Sequence, residues 1–164
     1  MNIFPTKILL ASDSSDTAAH AMDLAVELCE QTGSQLHLVY VGEDAYSSAT
    51  LMISPEAGDI EGMARENPVL IEQLQQQFDQ GARRVLDTEV QKVREAGGTV
   101  AQAHLRMGKA DIEIVELAKE IDAGLLILGS RGSGMIKRAL IGSVSDSVVR
   151  HAHCPVTVVR QEKR

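Results

Sequence analysis

Apolar positions along this chain follow two periods, and the switches between them mark a repeating order of strand and helix. Lys7-Ile-Leu-Leu-Ala11 is an apolar run of strand length. Ser12-Asp13-Ser14-Ser15-Asp16 follows it and offers several helix N-caps, since short polar side chains accept hydrogen bonds from the first unpaired N–H groups of a helix. Ala18, Met22, Ala25 and Cys29 then recur at helical spacing, and Gly33 is a suitable stop. Leu36-His-Leu-Val-Tyr-Val41 predicts a second strand, rich in β-formers. Further on, Leu70, Leu74, Phe78, Ala82, Leu86, Val90 and Val93 mark one face of a long helix over about 69–96, closed by Gly97-Gly98. Thr99 to Arg106 alternates and predicts a third strand. Ile114, Leu117, Ala118 and Ile121 stripe another helix, and Leu125-Leu-Ile-Leu128 predicts a fourth strand. A glycine-rich loop, a helix near 142–152 and a fifth strand, Pro155-Val-Thr-Val-Val159, complete the series. Strands alternating with helices predict an α/β fold with a parallel sheet.

Residues 42–68 break the pattern. Gly42, Ser47, Ser48, Pro55, Gly58, Gly62 and Pro68 predict a long connection with room for one short helical turn. A connection beyond about 12–15 residues is commonly a lid, a binding loop or a tolerated surface insertion. No linker divides the rest, so a single domain over 1–164 is expected.

Composition narrows the function. Of 164 residues, 44% are hydrophobic and 24% charged, which predicts a globular core rather than disorder. Aromatic residues are only 2%, so the core rests on aliphatic side chains and stacking platforms for nucleic-acid bases are scarce. A net charge of −7 opposes nucleic-acid backbones, and no nucleic-acid partner is expected. No apolar stretch approaches the roughly 18 residues of a membrane span, so no membrane partner is expected; no signal-peptide pattern is read ahead of the first strand, and the expected location is cytoplasmic. Cys29 lies on an apolar helical face and reads as a buried thiol. His151, His153 and Cys154 read as a turn into the last strand rather than a metal site, and no metal ligand is assigned. His20, His37 and His104 read as isolated.

The chemistry concentrates after the fourth strand, in Gly129-Ser-Arg-Gly132-Ser-Gly134 and Gly142-Ser143-Val-Ser145, a spacing of Gly-x2-Gly-x9-Gly-Ser. Strand, glycine loop and helix N-terminus in that order present outward backbone N–H groups and a favourable dipole to an anion. Arg131, Lys137 and Arg138 add positive charge in an otherwise acidic chain. A Walker loop would need Lys and Ser/Thr after Gly134, where Met135 stands instead. A dinucleotide fingerprint would need Gly-x-Gly-x-x-Gly after the first strand, and here the spacing is reversed and late.

The spacing that does match resembles that of the universal stress protein family, in its ATP-binding branch. Gly129, Gly132, Gly142 and Ser143 occupy all four motif positions. Asp13 after the first strand, Gly33 to Val41, Gly108, Gly124 to Gly132 and His151-Ala-His-Cys-Pro-Val156 extend the likeness. Only 42–68 falls outside it. The resemblance implies a Rossmann-like, five-stranded parallel sheet of order 3-2-1-4-5 with helices on both faces. It implies an adenine nucleotide as ligand, ATP or AMP, with Mg2+ as an optional companion. Asp13 would bind the adenosine part, with Val41 against the base. Gly129, Gly132, Gly142 and Ser143 would hold ribose and phosphates, with Arg131 adding positive charge; Val144 and Ser145 take the next two positions, where the Ser145 hydroxyl would add a contact to phosphate. That division agrees with electrostatics, because a carboxylate accepts hydrogen bonds from a nucleoside and repels phosphate. Asp13 also reads as a candidate N-cap.

No nucleophile–base–acid set and no three-ligand metal cluster stands out, so no catalytic residue is assigned. The expectation is an ATP-binding regulatory sensor in stress adaptation with an unknown protein partner. The alternative is a slow ATPase or a nucleotidyl- or phosphotransferase on the same sheet. The resemblance also implies a homodimer through the edge strand Val156–Val159, since an unprotected strand edge invites pairing.

Overall fold

The structure, a computed structural model, describes residues 5–43, 66–130 and 141–160. The expected connection at 42–68 lies for the most part outside these residues, as do Arg131, Gly132, Lys137 and Arg138. Strand β1 (Lys7–Ala11) leads into helix α1 (Asp16–Thr32) and strand β2 (Gln35–Gly42). Helix α2 (Pro68–Glu95) precedes β3 (Val100–Met107), and α3 (Ala110–Glu120) precedes β4 (Leu125–Gly129). Helix α4 (Ser143–His151) and strand β5 (Val156–Val159) follow.

The five strands form one parallel sheet in the order β3-β2-β1-β4-β5, as the family resemblance implied. Both faces are covered. Ile8, Leu10, Leu36, Leu38 and Ile127 point to one face and pack with Ala21, Met22, Ala25 and Val26 of α1 and Leu86 and Val93 of α2. Leu9, Ala11, Val39, Leu126 and Leu128 point to the other and meet Ile114, Val115, Leu117 and Ala118 of α3 and Val148 of α4. Successive strand side chains alternate between faces, so each central strand feeds both cores. The connection from β1 enters α1 on the first face, and that from β4 enters α4 on the second. The paired strands β1 and β4 therefore flank a topological switch point at their carboxyl ends.

The helix ends follow local chemistry. Ser15 caps α1, its Oγ accepting from the Ala18 N–H at 3.2 Å. Gly33 closes α1 at φ 72°, a left-handed conformation that glycine adopts without Cβ strain. Asp13 is thus not the N-cap. Its Oδ1 instead accepts from the Ser15 N–H at 3.1 Å, which folds the turn ahead of the helix.

The long helix departs from the expected apolar face. Ala82, Leu86 and Val93 are buried, but Leu70 is 48% exposed, and Leu74 and Phe78 are half-buried. Length accounts for this: a 28-residue helix runs about 42 Å, whereas an eight-residue strand spans about 26 Å. Only the C-terminal half of α2 lies over the sheet. The fully buried position that the pattern missed is Glu89, 1% exposed, on the same stripe as Leu86 and Val93.

Candidate functional site

The carboxyl ends of β1, β2 and β4 bring together residues far apart in sequence. Ala11 pairs with Val39 on one side and Leu128 on the other. Asp13 follows β1, Val41 lies two residues beyond Val39, and Gly129 ends β4. The Ser12 N–H donates to the Val39 carbonyl at 3.1 Å, which continues the ladder past the end of β1 and fixes where the Asp13 turn begins. Asp13 and Val41 are half-buried at this end of the sheet.

The α4 side of the site is set by backbone bonds. The Ser130 N–H donates to Val159 O and the Gly142 N–H donates to Ser130 O, each at 2.7 Å. The two ends of the glycine loop are thereby held against each other. Gly142 is the N-cap of α4 in extended conformation and provides no side-chain cap for the first helical N–H groups. That helix start is the place where an anion finds unpaired donors and a favourable dipole. Ser143 and Val144 are exposed there. Ser145 is buried, and its Oγ donates to Gly129 O at 2.7 Å, tying the first turn of α4 to the end of β4.

Gly129 has a packing reason of its own. A Cβ at this position would lie 2.4 Å from Thr17 Oγ1 and 2.8 Å from the Ala18 nitrogen. Any side chain would drive β4 away from the first turn of α1, so this glycine lets a strand end and a helix start meet. Of the nine expected site residues, seven lie at the carboxyl end of the sheet: Asp13, Val41, Gly129, Gly142, Ser143, Val144 and Ser145. Arg131 and Gly132 lie outside the described residues.

Glu89 reaches the Asp13 turn from α2. Its Oε2 accepts from Ser12 Oγ at 2.5 Å, and its Oε1 accepts from Ser14 Oγ at 2.9 Å and Lys92 Nζ at 2.7 Å. Burial works against the charged carboxylate, but the hydrogen bonds from Lys92, Ser12 and Ser14 outweigh it and hold its pKa below the ordinary value. Only the carboxylate of this pair is buried, since Lys92 reaches it from a half-exposed position. A signal was present in the sequence: position 89 lies three residues after Leu86 and four before Val93, so a carboxylate stood on the buried stripe.

His37 and His104, which look isolated in sequence, meet across β2 and β3. Their rings stack with centroids 5.4 Å apart, and His37 Nδ1 lies 3.1 Å from His104 Nε2. His37 Nε2 is buried without a hydrogen-bond partner. The economical tautomer has His37 Nδ1–H donating, because a bare lone pair at Nε2 costs less than a stranded N–H. Both rings have pKa values held below 6.5, first by burial; Lys7 adds to this at His37, and His37 and Arg106 add at His104, against Glu120. Burial likewise pushes the Cys29 thiol up to about 11 and raises that of Cys154. Among the described residues no group of three or more His, Cys, Asp or Glu side chains is placed to hold a metal ion. No described helix is long and apolar enough to cross a membrane.

A doubly wound parallel sheet with its polar turns gathered at the β1/β4 switch point defines an α/β protein of Rossmann-like architecture. The chain belongs to the universal stress protein family, whose model matches residues 5–160. The universal stress protein Sll1388 of Synechocystis is 32% identical over 154 residues, covering 94% of this chain and 97% of that one. The solved universal stress protein UspA from Lactobacillus plantarum superposes with a TM-score of 0.72 at 25% identity, over 94% of this chain and 97% of the other. Two more distant neighbours share the fold and were solved with nucleotides. One is a universal stress protein in complex with cAMP (TM-score 0.61, 20% identity, covering 95% and 97%). The other is from Archaeoglobus fulgidus in complex with dAMP (TM-score 0.58, 21% identity, covering 96% and 98%).

Proposed function

We propose that this chain binds an adenine nucleotide, ATP or AMP, at the carboxyl ends of β1 and β4 and acts as a nucleotide-responsive regulatory protein. The observation that carries the reading is convergence. The Asp13 turn, Val41, the end of β4 and the uncapped start of α4 meet at one switch point. The chemistry is divided along it. Asp13 stands at the nucleoside end, where a carboxylate accepts from ribose or amino groups. Ser143, Val144 and the other first-turn N–H groups of α4 stand at the phosphate end, joined by Arg131 and Gly132 of the loop. Ser145 contributes by tying α4 to β4: its hydroxyl proton is committed to the Gly129 carbonyl rather than to a phosphate. Mg2+, where present, enters on the triphosphate oxygens. The family members solved with cAMP and dAMP support the ligand class. Bound nucleotide would set the state of the loop after β4 and so the surface offered to a protein partner. One domain over 1–164 forms a homodimer through β5.

The test is isothermal titration of the purified protein with ATP and with AMP, with and without Mg2+. Binding tighter than 1 mM for at least one nucleotide is expected. No heat of binding with either at millimolar concentration contradicts the proposal.

A further inference from the structure

We propose that Glu89 is a positioning residue for the nucleoside end of the pocket, fixing from α2 the Ser12–Ser15 turn that presents Asp13. The inference rests on the adenine-nucleotide reading above and deepens it. It starts from a carboxylate that the fold does not need for packing. Glu89 is 1% exposed between Leu86 and Val93 on the stripe that faces the sheet, where an apolar side chain would fill the space without burying a charge.

What the carboxylate does instead is hold both neighbours of Asp13. Ser12 donates to one of its oxygens and Ser14 to the other. The Ser12 oxygen also accepts from the Ser14 N–H at 3.3 Å, so the two serines close a small ring around Asp13. Ser14 has φ 65°, a left-handed conformation unfavourable for a residue with a Cβ. Such a conformation persists only where its surroundings over-determine it. The bond from Ser14 Oγ to Glu89 is one such determinant. With Ser12 and Ser14 both fixed, Asp13 has little freedom to swing its carboxylate away from the carboxyl end of β1. Glu89 lies 75 and 77 residues from these serines in sequence. Displacing α2 along its axis would pull on the turn, so the nucleoside end of the pocket is coupled to the helix that follows residues 44–65.

A double-mutant cycle separates positioning from general support. Glu89→Gln keeps the shape and removes the charge. It is expected to weaken ATP binding about tenfold, the equivalent of about 1.4 kcal/mol, while leaving affinity for inorganic tripolyphosphate unchanged. In an Asp13→Ala background the same substitution is expected to change ATP affinity less than twofold. Amide hydrogen exchange at Ser14 and Ser15 is expected to speed up in Glu89→Gln, with the β-strand amides unchanged. Equal losses with and without Asp13, or a parallel loss for tripolyphosphate, would overturn the proposal. So would unchanged exchange at Ser14 and Ser15, whatever the nucleotide result. Failure of the wild-type protein to bind ATP would count against the functional reading alone, since the exchange measurement still judges the turn. Should Glu89→Gln not fold, Ser12→Ala removes a single hydroxyl from the same network and carries the same expectations.

Discussion

Protonating His37 would place a second N–H, at Nε2, where no acceptor lies. Protonating His104 as well would set two cations against each other at 3.1 Å, near Lys7 and Arg106, with Glu120 opposing them. The folded state therefore prefers both rings neutral. With folded pKa values below 6.5, the unfolded chain binds more protons in the window between the folded value and 6.5. The stabilisation is complete above pH 6.5 and is lost as pH falls through that window. Glu89 does not contribute to this loss, because its own pKa is held below 4.5 and its stabilisation persists until pH drops beneath that value. Melting temperature is expected to fall between pH 7.5 and 5.5 by about 2–4 °C for each kcal/mol lost. The double variant His37→Leu, His104→Leu should flatten that slope. An equal slope in the variant would show that other groups carry it. Neither histidine announced its partner in the sequence, since strand register, not sequence distance, joins them.

At the scale of elements, nearly every strand and helix was legible from periodicity, because the two faces of the sheet demand two regular apolar sets. Ends were legible where a special residue stood, as at Gly33 and at Gly97-Gly98. What was not legible was which of five polar residues caps α1, since Ser12, Asp13, Ser14, Ser15 and Asp16 all have the right chemistry. Only the turn geometry gives the cap to Ser15 and frees Asp13 from that role. Equally hidden was how much of α2 the sheet would cover, because its apolar stripe continues past the sheet edge. Among the described residues β5 pairs only with β4, at one edge of the sheet. The carbonyls of Pro155 and Val159 accept from Leu126 and Ser130, so the alternate residues Val156 and Val158 present their backbone outward. Val158→Pro removes one outward N–H without touching the inner ladder. Light scattering is expected to give twice the 17.7 kDa chain mass for the wild-type protein and a single chain mass for the variant. A monomeric wild type, or a dimeric variant, would contradict pairing through this edge.

At the scale of the whole molecule, the site is a consequence of strand order. β1 and β4 are neighbours, and their following helices leave to opposite faces, so the turns carrying Asp13 and Gly142 both lie at the switch point, beyond the carboxyl ends of adjacent strands. The sequence showed the glycine spacing and Asp13, but not the deep support beneath them. Gly129 reads in sequence as a phosphate-loop glycine, yet contact with Thr17 and Ala18 already excludes any side chain there. Glu89 lies on the apolar stripe of α2 by spacing, but only the fold shows that it anchors the turn around Asp13. The central claim is that nucleotide sits at the carboxyl end of the sheet. The most direct measurement is amide chemical-shift mapping of the labelled protein with and without ATP. The account predicts shifts at Ser12 to Ser15, Val41, Ser130 and Gly142 to Ser145, and none at the opposite end, at Ser34, Gly98 and Ala123. Shifts confined to that opposite end, or spread evenly over both, would contradict it.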